Sequence, residues 1–342
     1  MRVATMTSPH HIEISEAETP ICKANEVRLH IKQIGICGSD IHVWHGQHPF
    51  TDYPIIQGHE FIGIIDAIGD NVHGEEFPMG RLATALPQMI CGNCNPCQQG
   101  KYHICENLKV RGFQAHGCGQ DYFVTDAKRI ILLPKDFNLD QGAFVEPTAV
   151  AVHAIQRLDD IEGQNIIITG AGTIGNLIAQ IAQLKGANVL LLDIEDNRLK
   201  IAQHCGITHV ANNRDAELKE LSQKYFGDEG FSIAIEASGA EPALQPIIPI
   251  IQKGGTILLV GVYPHWVSLD MARASEHELT LKGSMMYWTQ DWEQAAKYLH
   301  KDICIEPLIT HRFAFEEWQK AYEYIDDNPQ NALKVMIEVN EL

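Results

Sequence analysis

The sequence lacks a long apolar run. No stretch of its 342 residues approaches the roughly 18 consecutive apolar residues that a membrane-spanning helix needs. Its first six residues also lack the apolar core of a secretory signal peptide. We therefore expect a cytoplasmic protein with no membrane partner.

Basic residues and cysteines are both scarce. The chain has 26 lysines and arginines against 44 aspartates and glutamates, which gives a net charge of −18. Such a charge repels phosphate backbones and anionic lipids at long range, so we expect no nucleic-acid partner. Nine cysteines are few for a disulfide scaffold of this length, and four of them lie within one short segment. That crowding indicates metal binding.

The chain is long enough for two hydrophobic cores. Up to about residue 144, strand patterns such as 27–34 and 61–68 alternate with glycine, proline and polar clusters. After Glu146, apolar runs alternate with helical patterns, as in βαβ units. This second part predicts a six-stranded parallel sheet with helices on both faces. Five strand patterns support it, at 165–169, 188–192, 231–237, 255–260 and 279–282, together with helical patterns at 173–185, 196–204 and 241–252, and no range is assigned to the sixth strand.

The last 50 or so residues do not continue the alternation of strand and helix patterns. Helical patterns at 291–300 and 315–325 precede a strand pattern at 333–339. We expect this segment to return and pack on the first domain.

A glycine-rich turn predicts a dinucleotide site. Gly170, Gly172 and Gly175 form a G-x-G-x-x-G motif directly after an apolar strand and at the start of a helix, with Thr173 and Ile174 in the same turn. Gly170 permits a tight turn, Gly172 lets the backbone approach a pyrophosphate, and Gly175 lets helix and strand pack closely. The motif alone also fits an ordinary glycine-rich strand–helix turn.

Asp193 favours the interpretation of this motif as a dinucleotide site. It ends the next predicted strand, about 20 residues beyond the glycines, where a carboxylate can accept hydrogen bonds from the adenosine ribose. A carboxylate there repels the 2′-phosphate of NADP, and the following Ile194 and Glu195 offer no cation to bind it. We therefore expect NAD as the cofactor.

Four cysteines predict a structural zinc. Their spacing is C-x2-C-x2-C-x7-C, with turn-forming residues between the sulfurs, and four thiolates this close can surround a tetrahedral zinc. Two disulfides or an iron–sulfur cluster are the alternatives. A closed four-sulfur site has no open position for a substrate. The ligands would be Cys91, Cys94, Cys97 and Cys105.

A sparser set predicts a second, catalytic zinc. Cys37, His59 with the adjacent Glu60, and Glu146 lie far apart in the sequence, and each alone has an ordinary structural explanation. Together they offer a sulfur, an imidazole nitrogen and a carboxylate, a set that leaves an open position for water or substrate. Whether Glu60 or Glu146 is the direct ligand stays open.

These motifs resemble those of the zinc-containing medium-chain dehydrogenases. Cys-Gly-Ser-Asp-Ile-His at 37–42, Gly-His-Glu at 58–60, the four-cysteine lobe, Val-Glu-Pro at 145–147 and the glycine motif stand in the order found in that superfamily. The polyol branch is the most similar, because Glu146 stands where the alcohol dehydrogenase branch has a cysteine ligand. This branch includes sorbitol, idonate, threonine and galactonate dehydrogenases.

The resemblance implies an α/β architecture and an active site in a cleft. A GroES-like, β-rich catalytic domain would span 1–146 with the zinc lobe at about 87–111, a doubly wound Rossmann domain would span 147–286, and 287–342 would return to the catalytic domain. It also implies a proton route from the substrate hydroxyl through Ser39, the nicotinamide ribose and His42 to solvent. Asp40 would brace the loop. Joined Rossmann sheets would give a homodimer or a homotetramer.

One loop departs from the resemblance. Where relatives usually read Asp-Gly-Gly-Phe-x-Glu-Tyr, this chain reads His-Gly-Cys-Gly-Gln-Asp-Tyr at 116–122. We expect Cys118 in this loop to be half-buried and inert.

The expected reaction is the oxidation of a secondary alcohol in a polyol or a sugar acid of hexonate type. Threonine or a neutral polyol such as sorbitol is the alternative substrate. The segments expected at the cleft are rich in side chains that hydrogen-bond hydroxyl groups, which disfavours a small apolar alcohol. They are His45, Gln47, His48, Gln114, His116, Tyr287 and Trp288.

Two rival functions belong to other classes. A zinc-ribbon binding module would use the four cysteines to shape a contact surface, but the overall acidity argues against a nucleic-acid partner. A zinc-free reductase or a non-enzymatic NAD-binding protein is expected to lack both metal clusters.

Overall fold

The computed structural model describes residues 1–341 and contains strands and helices throughout them. The strands are β1 (Arg2–Ser8), β2 (His11–Glu16), β3 (Glu26–Ile36), β4 (Glu60–Ile68), β5 (Leu82–Ala85), β6 (Gln88–Met89), β7 (Lys109–Val110), β8 (Tyr122–Asp126), β9 (Ile130–Leu132), β10 (Asn165–Thr169), β11 (Asn188–Asp193), β12 (His209–Asn212), β13 (Ile233–Glu236), β14 (Thr256–Leu259), β15 (Thr280–Gly283), β16 (Ile309–Ala314) and β17 (Lys334–Glu338).

The helices are α1 (Gly38–Trp44), α2 (Asn95–Gln98), α3 (Leu139–Ala143), α4 (Val145–Gln156), α5 (Thr173–Leu184), α6 (Asp196–His204), α7 (Leu218–Phe226), α8 (Glu241–Leu244), α9 (Met271–Glu276), α10 (Thr289–Lys301) and α11 (Trp318–Asp327). Short 3₁₀ turns occur at Tyr102–Ile104, Ala127–Arg129, Gly227–Glu229, Glu306–Leu308 and Phe315–Glu317. Within the described residues, no helix combines the length and the apolar character needed to cross a bilayer.

The chain folds into two compact units. Unit 1 comprises Met1–Glu146, Trp288–His300 and the described residues from Ile309 onward, and unit 2 comprises Pro147–Tyr287 and Lys301–Leu308.

Unit 2 contains the predicted six-stranded parallel sheet, in the order β12-β11-β10-β13-β14-β15. Its central strands are nearly continuous apolar runs, because helices and loops cover both faces of a parallel sheet. The residues 166–168 in β10 and 190–192 in β11 are all completely buried. The Rossmann part of the predicted fold class is confirmed.

One predicted helix of unit 2 is wrong over most of its length. The apolar pattern at 241–252 predicted a single helix, but α8 ends at Leu244 and turns follow. Pro246 and Pro249 explain the difference, because proline has no N–H to donate and its ring clashes with the preceding turn. Ile247 and Ile248 are nevertheless buried, so the apolar pattern correctly indicated burial.

Unit 1 is built around a seven-stranded sheet. Its main path is β16-β17-β3-β4-β5-β9, and β8 pairs with β3. β16 and β17 are parallel, whereas the other neighbours are antiparallel. The GroES-like part of the predicted fold class is confirmed. Because β3 and β4 are antiparallel, the end of β3 lies beside the start of β4.

The C-terminal segment contributes to this sheet. β17 pairs with β3, with Ile337 opposite Ile34, and α10 forms as predicted. The helix predicted at 315–325 begins later, at Trp318, because the first three residues form a 3₁₀ turn. Phe315 and Trp318 are buried in the core of unit 1.

Candidate active site, cofactor loop and metal centres

The glycine-rich turn of unit 2 has the close contacts that its sequence predicts. Gly170 has a φ of +98°, and a Cβ there would lie 2.9 Å from the Ser238 nitrogen. A Cβ on Gly175 would lie 1.8 Å from the Gly170 oxygen, so only glycine fits. Gly172 has open space around it and precedes the first turn of α5, which has no side-chain cap. Thr173 and Ile174 follow in that turn. An uncapped helix start of this kind can bind a pyrophosphate.

Asp193 ends β11 and is fixed beside this turn. Its Oδ2 accepts a hydrogen bond from the Ala171 N–H at 2.7 Å, and its Oδ1 accepts one from the Glu195 N–H at 2.9 Å. These bonds orient a buried carboxylate next to the glycine loop.

Two cations that sequence reasoning missed lie near Asp193. The Arg198 Nη1 atom is 3.8 Å from Asp193 Oδ2, and the Arg214 Nη2 atom is 3.4 Å from Glu195 Oε1. Arg198 comes from α6 and Arg214 follows β12, so neither lies in the two positions that the sequence argument considered. Each faces a carboxylate, which offsets its charge.

The four cysteines of the lobe come together in unit 1. Their sulfur atoms all lie within 4.8 Å of one another. The Cys91 and Cys105 sulfurs are 3.5 Å apart and those of Cys94 and Cys105 are 3.8 Å apart. The N–H groups of Asn93 and Cys94 lower the pKa of Cys91 to about 6, which favours the thiolate there, whereas burial and the neighbouring Cys94 raise the pKa of Cys97 to about 12. Four sulfurs at these distances fit a closed tetrahedral zinc.

A second cluster lies at the junction of β3 and β4. Cys37 precedes α1 at the end of β3, and His59 and Glu60 stand at the start of β4. One ligand atom from each residue lies within 4.8 Å of the others. The antiparallel pairing of Gly35 with Glu60 brings these distant sequence positions together.

The charges around His59 fit a cation at this cluster. Burial lowers the pKa of His59, but Asp40, Cys37 and Glu146 outweigh burial and raise that pKa well above its ordinary value. Asp40 Oδ1 lies 3.6 Å from His59 Nδ1, which is close enough for an ion pair but too long for a hydrogen bond. The thiol, imidazole and carboxylate groups therefore suit zinc.

Glu60 and Glu146 have different surroundings. Glu60 belongs to the three-residue cluster, and its Oε2 accepts a hydrogen bond from the Lys334 Nζ at 2.5 Å. Glu146 is also buried, and its charge helps to raise the pKa of both His59 and Lys334. Sequence reasoning missed Lys334, which is about 270 residues away from its partner.

Ser39 and His42 both lie on α1. The Ser39 hydroxyl donates a hydrogen bond to Cys37 Sγ at 3.1 Å. His42 is half-buried, and burial and the nearby His45 lower its pKa. Asp40 accepts a hydrogen bond from the Cys37 N–H at 3.0 Å, so it braces the loop of the cysteine.

The expected substrate-side residues have varied environments. His48 stacks on Phe113, whose ring centroid lies 5.1 Å from that of His59. His45 contacts Asp326, and Tyr287 is completely buried. Phe113 was missed, because nothing local in the sequence distinguishes it from a core aromatic residue. The His116 Nδ1 accepts a hydrogen bond from the Ile56 N–H, and Gln114 Oε1 accepts one from the Val110 N–H.

Cys118 differs from the expectation. It was expected to be half-buried, but it is completely buried, and burial raises the pKa of its thiol. Gly58, with a φ of +97°, leaves room for it, because a Cβ at Gly58 would lie 2.9 Å from Cys118 Sγ.

Comparison with known proteins reveals the family. Residues 23–135 match the alcohol dehydrogenase GroES-like domain, and residues 173–301 match the zinc-binding dehydrogenase domain. The chain is 33% identical over 320 residues to a 2-dehydro-3-deoxy-L-galactonate 5-dehydrogenase of Pseudoalteromonas atlantica, with 93% of each chain covered. It is 31% identical to a sorbitol dehydrogenase of Halalkalibacterium halodurans, with 98% of each chain covered.

A solved structure agrees with these matches. A protein of Escherichia coli CFT073, described as a short chain alcohol dehydrogenase complexed with NADH, superposes with a TM-score of 0.91 at 29% identity, over 99% of both chains. These matches set aside the zinc-ribbon module and the non-enzymatic protein as explanations. The chain belongs to the polyol branch of the zinc-containing medium-chain dehydrogenases and is a zinc-binding dehydrogenase.

Proposed function

We propose that this enzyme oxidises a secondary alcohol of a sugar acid of hexonate type, or of a related polyol, to the ketone. The observation that supports the proposal is the cluster of Cys37, His59 and Glu60. Glu146 is close enough to this cluster for its charge to raise the pKa of His59. Met1–Glu146, Trp288–His300 and the described residues from Ile309 onward would form the catalytic domain, and Pro147–Tyr287 with Lys301–Leu308 would form the NAD-binding domain.

The cluster would hold the catalytic metal. Zinc bound there would supply a Lewis acid that lowers the pKa of a substrate hydroxyl. Cys37 and His59 would be ligands, and the carboxylate of Glu60 or of Glu146 would complete the set. Cys91, Cys94, Cys97 and Cys105 would hold the structural zinc.

Residues on α1 would remove the proton. The Ser39 hydroxyl lies next to Cys37 Sγ, so it is positioned to accept a proton from a hydroxyl group at this cluster. His42 would pass the proton towards solvent. Because burial and His45 lower its pKa, His42 stays neutral and able to accept a proton over a wider range of pH.

Polar groups near the cluster favour a polyhydroxylated substrate. His48 lies against Phe113, which in turn contacts the His59 ring. The Nδ1 of His48 is already paired with the Thr51 hydroxyl at 2.7 Å, which leaves its Nε2 as the ring atom that could hydrogen-bond a substrate hydroxyl. The preference for a sugar acid is supported by the galactonate-type relative, and the sorbitol dehydrogenase supports a neutral polyol.

A panel of substrates tests the proposal. The zinc-loaded enzyme is assayed by NADH absorbance with hexonates, sorbitol, threonine and short primary alcohols, and a Cys37→Ala variant gives the background. We expect the highest kcat/KM with a hexonate and almost no activity in the variant. A short primary alcohol as the best substrate would overturn the proposed substrate class, a polyhydroxylated secondary alcohol. Sorbitol or threonine as the best substrate would overturn only the proposal that the substrate is a sugar acid.

We also propose that the enzyme forms a homodimer, which can pair into a homotetramer. β15 pairs with β14 on one side and ends the sheet of unit 2. An exposed end strand is prone to pair with another chain unless it is covered. Two-fold symmetry is the commonest way to cover it.

A further inference from the structure

A buried carboxylate at the end of β13 has no part in the proposed reaction. Glu236 is the last residue of β13 and is completely buried. It pairs with Thr169, the last residue of β10, and the glycine turn begins directly after Thr169 with Gly170. Glu236 therefore lies beside the turn to which we assign the pyrophosphate.

Hydrogen-bond donors from two loops converge on this carboxylate. In the loop after β13, the Ser238 N–H and the Gly239 N–H donate to Glu236 Oε1 at 2.7 Å and 3.0 Å, and the Ser238 hydroxyl donates to the same oxygen. In the loop after β14, the Tyr263 hydroxyl donates to Oε2 at 2.7 Å. Burial and then the bond to Glu236 raise the pKa of Tyr263, so its hydroxyl keeps the proton that it donates. Groups that all donate suit an ionised carboxylate, which only accepts hydrogen bonds.

The two loops are packed closely against each other and against the glycine turn. A Cβ on Gly261 would lie 2.6 Å from Glu236 Oε2 and 2.2 Å from the Gly239 nitrogen. A Cβ on Gly170 would lie 2.9 Å from the Ser238 nitrogen. A change at Glu236 would therefore act on both loops where they border the glycine turn.

These loops lie on one side of a topological switch in the sheet of unit 2. In the order β12-β11-β10-β13-β14-β15, the chain runs from β10 outward to β12 and then returns to β13 on the other side of β10. In sheets of this kind a dinucleotide lies across the carboxyl ends of the strands at the switch, with one half on each side. Asp193 on β11 is assigned to the adenosine half, so the loops held by Glu236 are left for the nicotinamide half.

We propose that Glu236 is a positioning residue for the nicotinamide half of the coenzyme and that its buried charge favours NAD⁺ over NADH. The N–H and hydroxyl groups that contact the carboxylate are neutral, so they orient its charge without cancelling it. The oxidised nicotinamide ring has a positive charge that the reduced ring lacks, and water screens a buried charge only weakly. The proposal rests on the assignment of unit 2 to NAD.

The same charge also repels the pyrophosphate. This repulsion is equal for the two redox forms, because NAD⁺ and NADH have the same pyrophosphate. It therefore cancels in the ratio of the Kd for NAD⁺ to the Kd for NADH, whereas the attraction for the oxidised ring does not. The ratio measures the effect of the charge, and the two Kd values themselves measure the effect of the loop positions.

The test measures both dissociation constants with the zinc-loaded enzyme at about pH 7. The Kd for NADH is obtained by fluorescence, and the Kd for NAD⁺ by competition with NADH. Glu236→Gln keeps the length of the side chain and removes its charge, so the ratio of the Kd for NAD⁺ to the Kd for NADH should rise about tenfold. Glu236→Asp keeps the charge, so the ratio should stay close to that of the wild type although both Kd values rise.

Tyr263→Phe tests the positioning separately. It removes one donor from the loop after β14 and leaves the charge in place, so both Kd values should rise about threefold with an unchanged ratio. Glu229→Gln is the matched control, because Glu229 is an exposed carboxylate in the turn that precedes β13 and should behave like the wild type. Thermal denaturation shows whether each variant is folded. If Glu236→Gln alone does not fold, the ratio is measured with Tyr263→Phe added, which removes a donor that faces the new amide.

Three results would overturn the proposal. They are a wild-type ratio in Glu236→Gln, wild-type Kd values in Tyr263→Phe, and a ratio in Glu236→Asp as high as that in Glu236→Gln. A wild-type enzyme that binds neither NAD⁺ nor NADH would instead overturn the assignment of unit 2 to NAD.

Discussion

At the scale of single residues, Lys334 contributes a buried cation to the candidate metal site. It is completely buried, and it donates hydrogen bonds to Glu60 Oε2 and, at 3.1 Å, to the Ile36 oxygen. Burial lowers its pKa, but Glu60 and Cys37 outweigh burial and raise that pKa, so Lys334 is a cation. It partly neutralises a site that contains several acidic groups.

Replacing Lys334 should destabilise the protein. Lys334→Met leaves the Glu60 carboxylate buried without its cation, which should lower the free energy of unfolding by about 3–5 kcal/mol. Urea denaturation measures the change. Lys334→Arg is the matched control, because it retains a cation and should retain most of the stability. Equal stability of the methionine variant and the wild type would contradict the role of the pair.

Asp193 should determine the choice of coenzyme. Its carboxylate is fixed by the N–H groups of Ala171 and Glu195, at the end of the strand where the adenosine ribose is expected. Asp193→Asn removes the charge but keeps a similar shape. We expect the wild type to favour NAD, and we expect the NAD/NADP ratio of kcat/KM to fall about tenfold in the variant, equivalent to ~1.4 kcal/mol. Equal turnover of both coenzymes by the wild type would refute this assignment.

Among the elements, α11 holds the helix that carries the proposed proton route. Asp326 near the end of α11 accepts a hydrogen bond from Trp44 Nε1 at 2.7 Å and contacts His45 Nε2 at 2.7 Å. Trp44 is buried and packs against Tyr322 of α11. These contacts fix the C-terminal end of α1, the helix that contains Ser39 and His42.

Releasing this contact should reduce both stability and turnover. Asp326→Ala leaves the buried Trp44 N–H without its acceptor, at a cost of about 1–3 kcal/mol in the free energy of unfolding. Because α1 becomes less well positioned, kcat should fall as well. Asp327→Ala, at the exposed neighbouring residue of the same helix, is the control. The prediction fails if both variants have the same stability and the same kcat.

The four-cysteine lobe should depend on its metal. α2 and the turn Tyr102–Ile104 are short and contain little apolar material to hold them in place. Cys97→Ser should therefore remove one zinc per chain and make the segment between Cys91 and Cys105 sensitive to proteolysis. Metal analysis and limited proteolysis provide the measurements, with Cys22→Ser as the control. An unchanged zinc content in Cys97→Ser would exclude the lobe as a zinc site.

Local patterns predicted most of the helices and strands, whereas contacts between distant residues were not predicted. The spacing of the glycines and cysteines reports local chemistry, so the cofactor turn and the lobe could be recognised in the sequence. The partnership of Glu60 with Lys334 depends on how β17 pairs with β3, which no local pattern encodes. Arg198 near Asp193 was missed for the same reason.

The helix predicted at 241–252 shows a different limit. Its apolar spacing correctly indicated burial, but the chain achieves that burial with turns. Pro246 and Pro249 were visible in the sequence, and they should have outweighed the periodicity.

On the scale of the whole molecule, unit 2 has an exposed apolar surface near the end of its sheet. Trp266 is fully exposed, and Val262, Met271 and Met285 are each more than half exposed. These residues follow β14, begin α9 or follow β15. Exposed apolar residues mark protein–protein contacts where they form a contiguous patch, and we expect these four to do so at the proposed interface.

Assembly provides the last prediction. If two copies join through the β15 edges, the wild type should sediment at micromolar concentration as a dimer or a tetramer of the 38.2 kDa chain. Trp266→Asp places a charge in the exposed apolar surface and should shift the protein towards the monomer, because burying an unpaired charge opposes association. Met79→Asp is the matched control, since Met79 is an exposed apolar residue of unit 1 and its replacement should leave the assembly unchanged. A wild-type protein that sediments only at 38.2 kDa would refute the dimer. A wild-type oligomer that survives Trp266→Asp would place the interface elsewhere on the molecule.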